Sequence, residues 1–364
     1  MNEVTGNIVD IFNRVIYPGK VLINNHGKIH DIIKSANVDD FYLIPGFVDS
    51  HVHIESSMLT PVQFGKQAFK HGTVAVVSDP HEIANVCGID GIQFMLNNAK
   101  QSCLKYFFGV PSCVPATNYD INGFEIDSKS TKELFSTGKF YFLSEMMNFP
   151  GVINEDKEVI SKLNIAKKYC KVVDGHAPGL TGNDLKKYIK SGISTDHECS
   201  TLKEAIEKIN YGMKILIREG SAAKNFNELS PLIDLYPDMI MFCTDDCHPD
   251  DLIKGHINSI VQRAISMKYD LFNILKAACI NPVLHYNLPV GLLKQNDPAD
   301  FIVIDNLNKF NVLKTYINGK CISNDKIEIT KSSSAVNKFN AKKIGINDLK
   351  VKVTGSEINV INFI

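Results

Sequence analysis

"PGFVDSHVHIESSMLTP", residues 45–61, ends an apolar run with two histidines one residue apart. Alternate side chains of an extended strand share a face, so His51 and His53 point the same way. A histidine pair at the point where a buried strand stops predicts a polar site at the strand's C-terminal end. In a (β/α)8 barrel that end carries the chemistry. The reading of these residues therefore turns on whether seven more strands come after them.

They do. Apolar strand-like runs occupy 43–50, 73–79, 105–111, 139–145, 170–176, 192–197, 213–219 and 239–245, eight in all. Their continuous apolar character suits strands buried on both faces, as in a parallel sheet. Amphipathic segments lie between most of them. "TPVQFGKQAFKHG" places Phe64, Ala68 and Phe69 near helical spacing, and "EDKEVISKLNIAKKYC" does so with Val159, Ile160, Leu163 and Ala166. "STLKEAIEKINYG" adds Leu202, Ala205, Ile206 and Ile209, with Ser200 as the expected N-cap. In the long link 112–138 only "TKELFST" reads as helix. Strand and helix alternating eight times predict an α/β fold, a TIM-type (β/α)8 barrel.

The flanks read differently. Residues 4–44 are short strands with a tight turn at Asn25, His26 and Gly27. After a helix at 271–279, the stretch from Val290 to Ile322 returns to strands and turns. The expected organisation is a small β-sandwich-like domain from both flanks, 1–44 and 286–330, around a metal-binding barrel at 45–285. Residues 331–364 are expected to hold a polar linker and a hairpin-like pattern around Gly355 and Ser356, the start of a further domain.

The 364 residues are 44% hydrophobic and 22% charged, ordinary for a globular chain with a sizeable core. A net charge of -1 gives no basic footprint for nucleic acid or an anionic membrane. No run suits a membrane span, and the acidic N-terminus lacks a secretory n-region. The 9 cysteines form no CxxC pair and suit free thiols in a reducing cytoplasm, so the expected location is cytoplasmic.

The ends of the runs read "DSHVH", "SDPHE", "VPSC", "SEMMN", "DGHAPG", "DHECS", "REGS" and "TDDCHP". Singly, a histidine there is a loop residue and an acid caps the next helix. Together, His51, His53, Glu145, His176, His197 and Asp245 fall around one rim. Imidazoles with carboxylates suit Zn, Fe or Mn and not a cysteine-rich structural zinc site. Six ligands exceed what one tetrahedral ion with an open position needs; they suit two ions bridged by a carboxylate, with Glu145 the natural bridge. A bridging hydroxide is then the nucleophile, and Asp245 can take its proton and pass it to a leaving group.

At these residues the chain resembles the amidohydrolase superfamily, and within it the prokaryotic-type adenine deaminases. "HIESSMLTP", "DPHEIANV", "SEMMNFPGV", "DGHAPGLTG", "STDHEC" and "TDDCHPDDL" carry the resemblance, which runs from about residue 6 to residue 320. It implies a dinuclear Fe or Mn centre, rather than Zn, on the six residues named above. It implies hydrolysis of adenine to hypoxanthine and ammonia by hydroxide attack at C6. Members of that family carry a substantial further domain after the β unit, and this chain is expected to stop where that domain begins. A homodimer is a family-level expectation. Asp245 would protonate the departing amine. His81, Glu82 and Glu219 are candidates to hold the ring nitrogen beside C6. Glu55, Arg218 and Asp246 are candidate substrate contacts, and strand alternation lets only one of Arg218 and Glu219 face the cavity. Asp246 alternatively orients a ligand or caps the next helix. Another dinuclear amidohydrolase reaction, on a cyclic amide or an N-acyl group, and an inactive binding relative remain open. The zinc deaminases of nucleic acids require Cys-x-x-Cys, which is missing here, so that class and its DNA or RNA substrates are set aside.

Overall fold

The computed structural model describes residues 2–117, 119–322 and 342–357. The eight expected barrel strands are present as β5 (Phe47–Val52), β6 (Thr73–Ser78), β7 (Lys105–Val110), β8 (Phe142–Met146), β9 (Val172–Gly175), β10 (Thr195–Asp196), β11 (Lys214–Arg218) and β12 (Ile240–Cys243). All neighbours pair in parallel, β5 to β9 in one run and β10 to β12 in another. Single parallel bridges close the ring, Val173 to Ile193 and Val52 to Asp245. The second seam is made by the site itself. Asp245 N donates to His51 O at 2.9 Å and His53 N donates to Asp245 O at 3.2 Å.

Inside the barrel, Val48, Ala75, Val77, Phe107, Phe142, Leu216, Met241 and Cys243 pack as one buried cluster with Tyr286. These are alternate positions of their strands, the layered filling expected of such a barrel. A second and a third cluster join the outer strand faces to the helices.

Helices fill the links as patterned, including Pro61–Ala68, Lys157–Lys168 and Ser128–Ser136. The link after β6 holds the longest, His81–Ala99, kinked at Gly88. The helix after β10 runs Leu202–Asn210, and its cap is Thr201, whose hydroxyl accepts from Glu204 N at 3.2 Å. Ser200, the expected cap, lies one residue outside it. The segment expected at 271–279 is longer than its pattern. It begins as Leu271–Leu275, passes through a π-helical turn, Lys276–Ile280, and continues as Asn281–Tyr286.

The first apolar run, 43–50, is not one strand. It breaks at Gly46 into β4 (Tyr42–Pro45) and β5, which belong to different sheets. A Cβ at Gly46 would overlap the side chain of Val74, so only glycine fits the crossing. On the far side, β1 (Asn2–Asp10), β2 (Val15–Ile23), β3 (Ile29–Lys34) and β4 join β13 (Phe301–Ile304), β14 (Val312–Ile317) and β15 (Lys320–Ile322). The two flanks meet in one seven-stranded sheet ordered β15-β14-β13-β4-β1-β2-β3. β4 makes the junction, parallel to β1 and antiparallel to β13.

Residues 342–357 carry no strand, and Leu349, Val351 and Val353 are exposed. The rest of the expected linker and hairpin, at 331–341 and 358–364, lies outside the described residues, as do 323–330 of the second β segment.

Candidate metal centre

At the C-terminal mouth of the barrel the ends of five strands converge. β5 delivers His51 and His53, β8 Glu145, β9 His176, β10 His197 and β12 Asp245. All except half-buried His176 are buried. His51 Nε2 and His53 Nε2 face each other at 3.0 Å. His53 Nε2 lies 3.2 Å from both Glu145 Oε1 and Asp245 Oδ1. The other oxygen of Glu145, Oε2, sits 2.6 Å from His176 Nδ1 and 3.3 Å from His197 Nε2. Glu145 thus presents one oxygen to each histidine pair.

The protons fix what this arrangement suits. His53 Nδ1 is 3.1 Å from the carbonyl of Asp79, which only accepts, so Nδ1 carries the hydrogen. In the neutral ring Nε2 is then a lone pair aimed at His51, Glu145 and Asp245. Lone pairs and carboxylates converging without a cation would repel, so the donor set fits metal ions. Burial, with His197 and His53 alongside, pushes His51 well below the usual imidazole range and keeps it neutral. Burial opposes protonation of His197 and His53, but Glu145 raises the first and Glu82 the second well above that range. Burial would raise Asp245 and Glu145, yet the imidazoles beside them, His53 foremost at the first and His176 at the second, hold them well below the carboxylate range. The site is a set of bases that demands positive charge.

Asp245 adopts a left-handed backbone, φ 53°, uncommon outside glycine. The two seam hydrogen bonds hold it there and turn its carboxylate over the mouth. Arg218 Nη1 donates to Asp245 Oδ2 at 2.5 Å and to Glu198 Oε1 at 2.5 Å. Arg218, not Glu219, faces the centre. Glu219 points away to Arg263 at 2.6 Å, so it does not join the cluster for which sequence nominated it.

His81 reaches the rim from the start of helix His81–Ala99, Nδ1 donating to Asp79 Oδ2 at 3.0 Å. Burial lowers and Asp79 raises its pKa, to about 9. Glu82 lies 3.3 Å from His53 Nδ1. Glu55 accepts from Ile83 N at 3.2 Å, and burial beside Glu82 lifts it to about 8. Asp246 caps no helix; it accepts from Ser56 Oγ at 2.5 Å and so ties the last strand's loop to the first.

Sequence reasoning missed two residues. Asp79, hidden in "SDPHE", is buried behind His81. Glu198 lies 3.4 Å from His197 Nε2 and 3.6 Å from His176 Nδ1; burial would raise its pKa, but His197 and then Arg218 hold it at about 2. Neighbours on a strand face opposite ways, which hid Glu198 behind His197. But β10 stops at Asp196, so that alternation had already ended. A cavity of about 470 Å³ opens beside Glu198 and Arg218. A cleft of about 800 Å³ lies between outer helices and touches none of this cluster.

A closed parallel barrel with clustered histidines and carboxylates at its C-terminal mouth defines a metal-dependent hydrolase of the amidohydrolase type. Residues 42–322 match the model of the amidohydrolase family, and the chain belongs to that family. It is 52% identical over 370 residues to the adenine deaminase of Borreliella burgdorferi, covering 100% of this chain and 67% of that protein. It is 52% identical over 362 residues to that of Methanosarcina barkeri, covering 99% and 66%. The chain thus falls in the adenine deaminase branch and spans about two thirds of the length of these relatives. Solved structures share the fold at low identity. The N-acetyl-D-glucosamine-6-phosphate deacetylase of Mycobacterium smegmatis aligns with TM-score 0.64 at 13% identity, over 89% of this chain and 100% of that one. A beta-aspartyl dipeptidase of Fervidobacterium islandicum aligns with TM-score 0.66 at 12%, over 91% and 100%. No helix among the described residues is long and apolar enough to cross a membrane.

Proposed function

We propose that this chain hydrolyses adenine to hypoxanthine and ammonia at the barrel mouth, with two divalent ions, Mn or Fe, as cofactors. One observation carries the reading: His53 Nε2 is aimed within 3.2 Å of Glu145 and Asp245 and 3.0 Å of His51 Nε2. Its other ring nitrogen is spent on a carbonyl. Relatives named adenine deaminase at 52% identity support the substrate.

His51, His53 and Asp245 would hold one ion, His176 and His197 the other, and Glu145 both. Divalent ions held there would lower the pKa of a bound water towards neutrality and so supply a hydroxide. The remaining work falls to this chain's own groups. The nucleophile attacks C6 of adenine. Asp245 accepts its proton and delivers it to the amino group leaving C6, while the proton released when the hydroxide formed ends on the ring nitrogen beside C6, so adenine and water become hypoxanthine and ammonia. Arg218 keeps Asp245 turned to the centre from the side opposite His53. His81, fixed by Asp79, is placed to hold the ring nitrogen beside C6 as charge builds there. Glu82, 3.6 Å from His81 Nε2, and Glu55, on the backbone of Ile83, are candidate contacts for the purine's N–H groups.

The test is ammonia release. Protein loaded with Mn or Fe should release ammonia from adenine and not open a cyclic amide such as dihydroorotate. Cyclic-amide turnover without adenine turnover would overturn the substrate assignment. In Asp245→Asn the fold should persist while turnover falls by at least about 10²-fold, the scale of a lost general acid–base group. Near-wild-type turnover would remove Asp245 from that role.

A further inference from the structure

Lys208, near the end of helix Leu202–Asn210, is fully buried, as is Asp196, and Glu204 nearly so. Its ammonium donates to Asp196 Oδ2 at 3.0 Å, Glu204 Oε1 at 2.7 Å and the carbonyl of Ala177 at 2.7 Å. All three protons of the ammonium are used.

Two of those partners adjoin the histidines of one half of the proposed metal centre. Asp196 precedes His197, and Ala177 follows His176. Asp196 Oδ1 accepts from Ala177 N at 2.8 Å, and Oδ2 accepts from Glu198 N at 3.2 Å and Cys199 Sγ at 3.1 Å. Glu204 Oε1 accepts from Gly179 N at 2.9 Å, and Oε2 from Ser200 N at 3.2 Å. The triad thus clamps 177–179 to 196–200 directly behind His176, His197 and Glu198. The other half is held otherwise. Asp49 accepts from His51 N at 3.3 Å and from the hydroxyl of Thr244 at 2.5 Å.

A buried ion triad costs desolvation and does little for stability by itself. A pure core would accept apolar groups of the same size. We infer that Lys208 is a positioning residue, and that the Lys208–Asp196–Glu204 triad sets the affinity of the His176–His197 half of the centre while leaving the His51–His53–Asp245 half alone. The inference rests on the dinuclear reading above.

The experiment uses the whole chain and Mn²⁺ as probe. Mn retained per chain is counted after timed dialysis against a chelator for wild type, Lys208→Met, His176→Ala and the double variant. Wild type should hold two Mn. Lys208→Met should lose one of them about 10 to 100 times more readily, the scale for groups that orient metal ligands. It should keep the other at the wild-type rate, and the double variant should lose no more than His176→Ala, since both act on the same ion. Loss of both ions equally from folded protein, or no change, would overturn the inference. Wild type binding no Mn would overturn the dinuclear reading itself, and this inference with it. Should Lys208→Met not fold, Glu204→Gln, which keeps the Lys208–Asp196 pair, decides. A smaller but single-ion weakening supports the triad's role, and wild-type retention of both ions contradicts it.

Discussion

Glu198 is the residue whose role changes most between sequence and structure. It binds Arg218 through both oxygens, 2.5 Å and 3.0 Å, and lies within 3.6 Å of His176 and His197. Arg218 in turn holds Asp245. Glu198→Gln should therefore loosen Arg218 and lower kcat/KM for adenine by about 10 to 100-fold, as loss of a group supporting metal ligands does. Turnover within twofold of wild type would show that the pair is only structural. His53→Ala should lower metal content directly, since it removes an inward lone pair; unchanged metal content would remove His53 from the ligand set. That the six nominated residues converge at one mouth was legible because strand-end position and residue type coincide. Glu198 and Asp79 were not, because their role comes from which side chain each faces. Arg218 against Glu219 was legible only as an exclusion. Choosing Arg218 required the position of Arg263, which lies on a helix after the next strand.

Elements were read by period, and period fails where an element changes partner or ends early. The run 43–50 is apolar throughout, so nothing in its composition marks the break at Gly46. The break becomes visible only when β4 pairs with β1 and β13 while β5 enters the barrel. Gly46→Ala should cost about 1 to 3 kcal/mol in denaturant unfolding, the scale of overpacking, because its methyl group would meet Val74. Stability unchanged within error would mean that the crossing can shift aside. The shortness of β10 had the same effect on the site. A strand of two residues cannot impose alternation on the loop beyond it. The helix after it was legible by its apolar face, which says nothing of Lys208 or Glu204. The buried triad shows that Lys208 and Glu204 face inward.

For the whole molecule, the eight-fold rhythm sufficed to predict the barrel, while ring closure and the joined flanks needed the long-range pairings. One contact across the barrel's closing seam gives a pH signature distinct from the metal site. His71, just before β6, donates from Nε2 to the carbonyl of Leu252, beyond β12, at 2.8 Å. Burial, then His256, lowers its pKa to about 4, against about 6.5 when unfolded. Between those values the unfolded chain takes up the proton more readily. The stabilisation is therefore full above about pH 6.5 and is lost as pH falls through about 4. Burial lowers His285 to about 4 as well, adding in the same direction. His71→Gln should lose less melting temperature than wild type between pH 6.5 and 4.5; parallel losses would contradict the assignment. If two ions on one rim make an adenine hydrolase, activity must follow metal reconstitution. Metal-free protein is titrated with Mn²⁺ while ammonia release from adenine is monitored. Activity should rise from background and saturate at two Mn per chain. Saturation at one, or ammonia release that ignores the metal, would contradict the account.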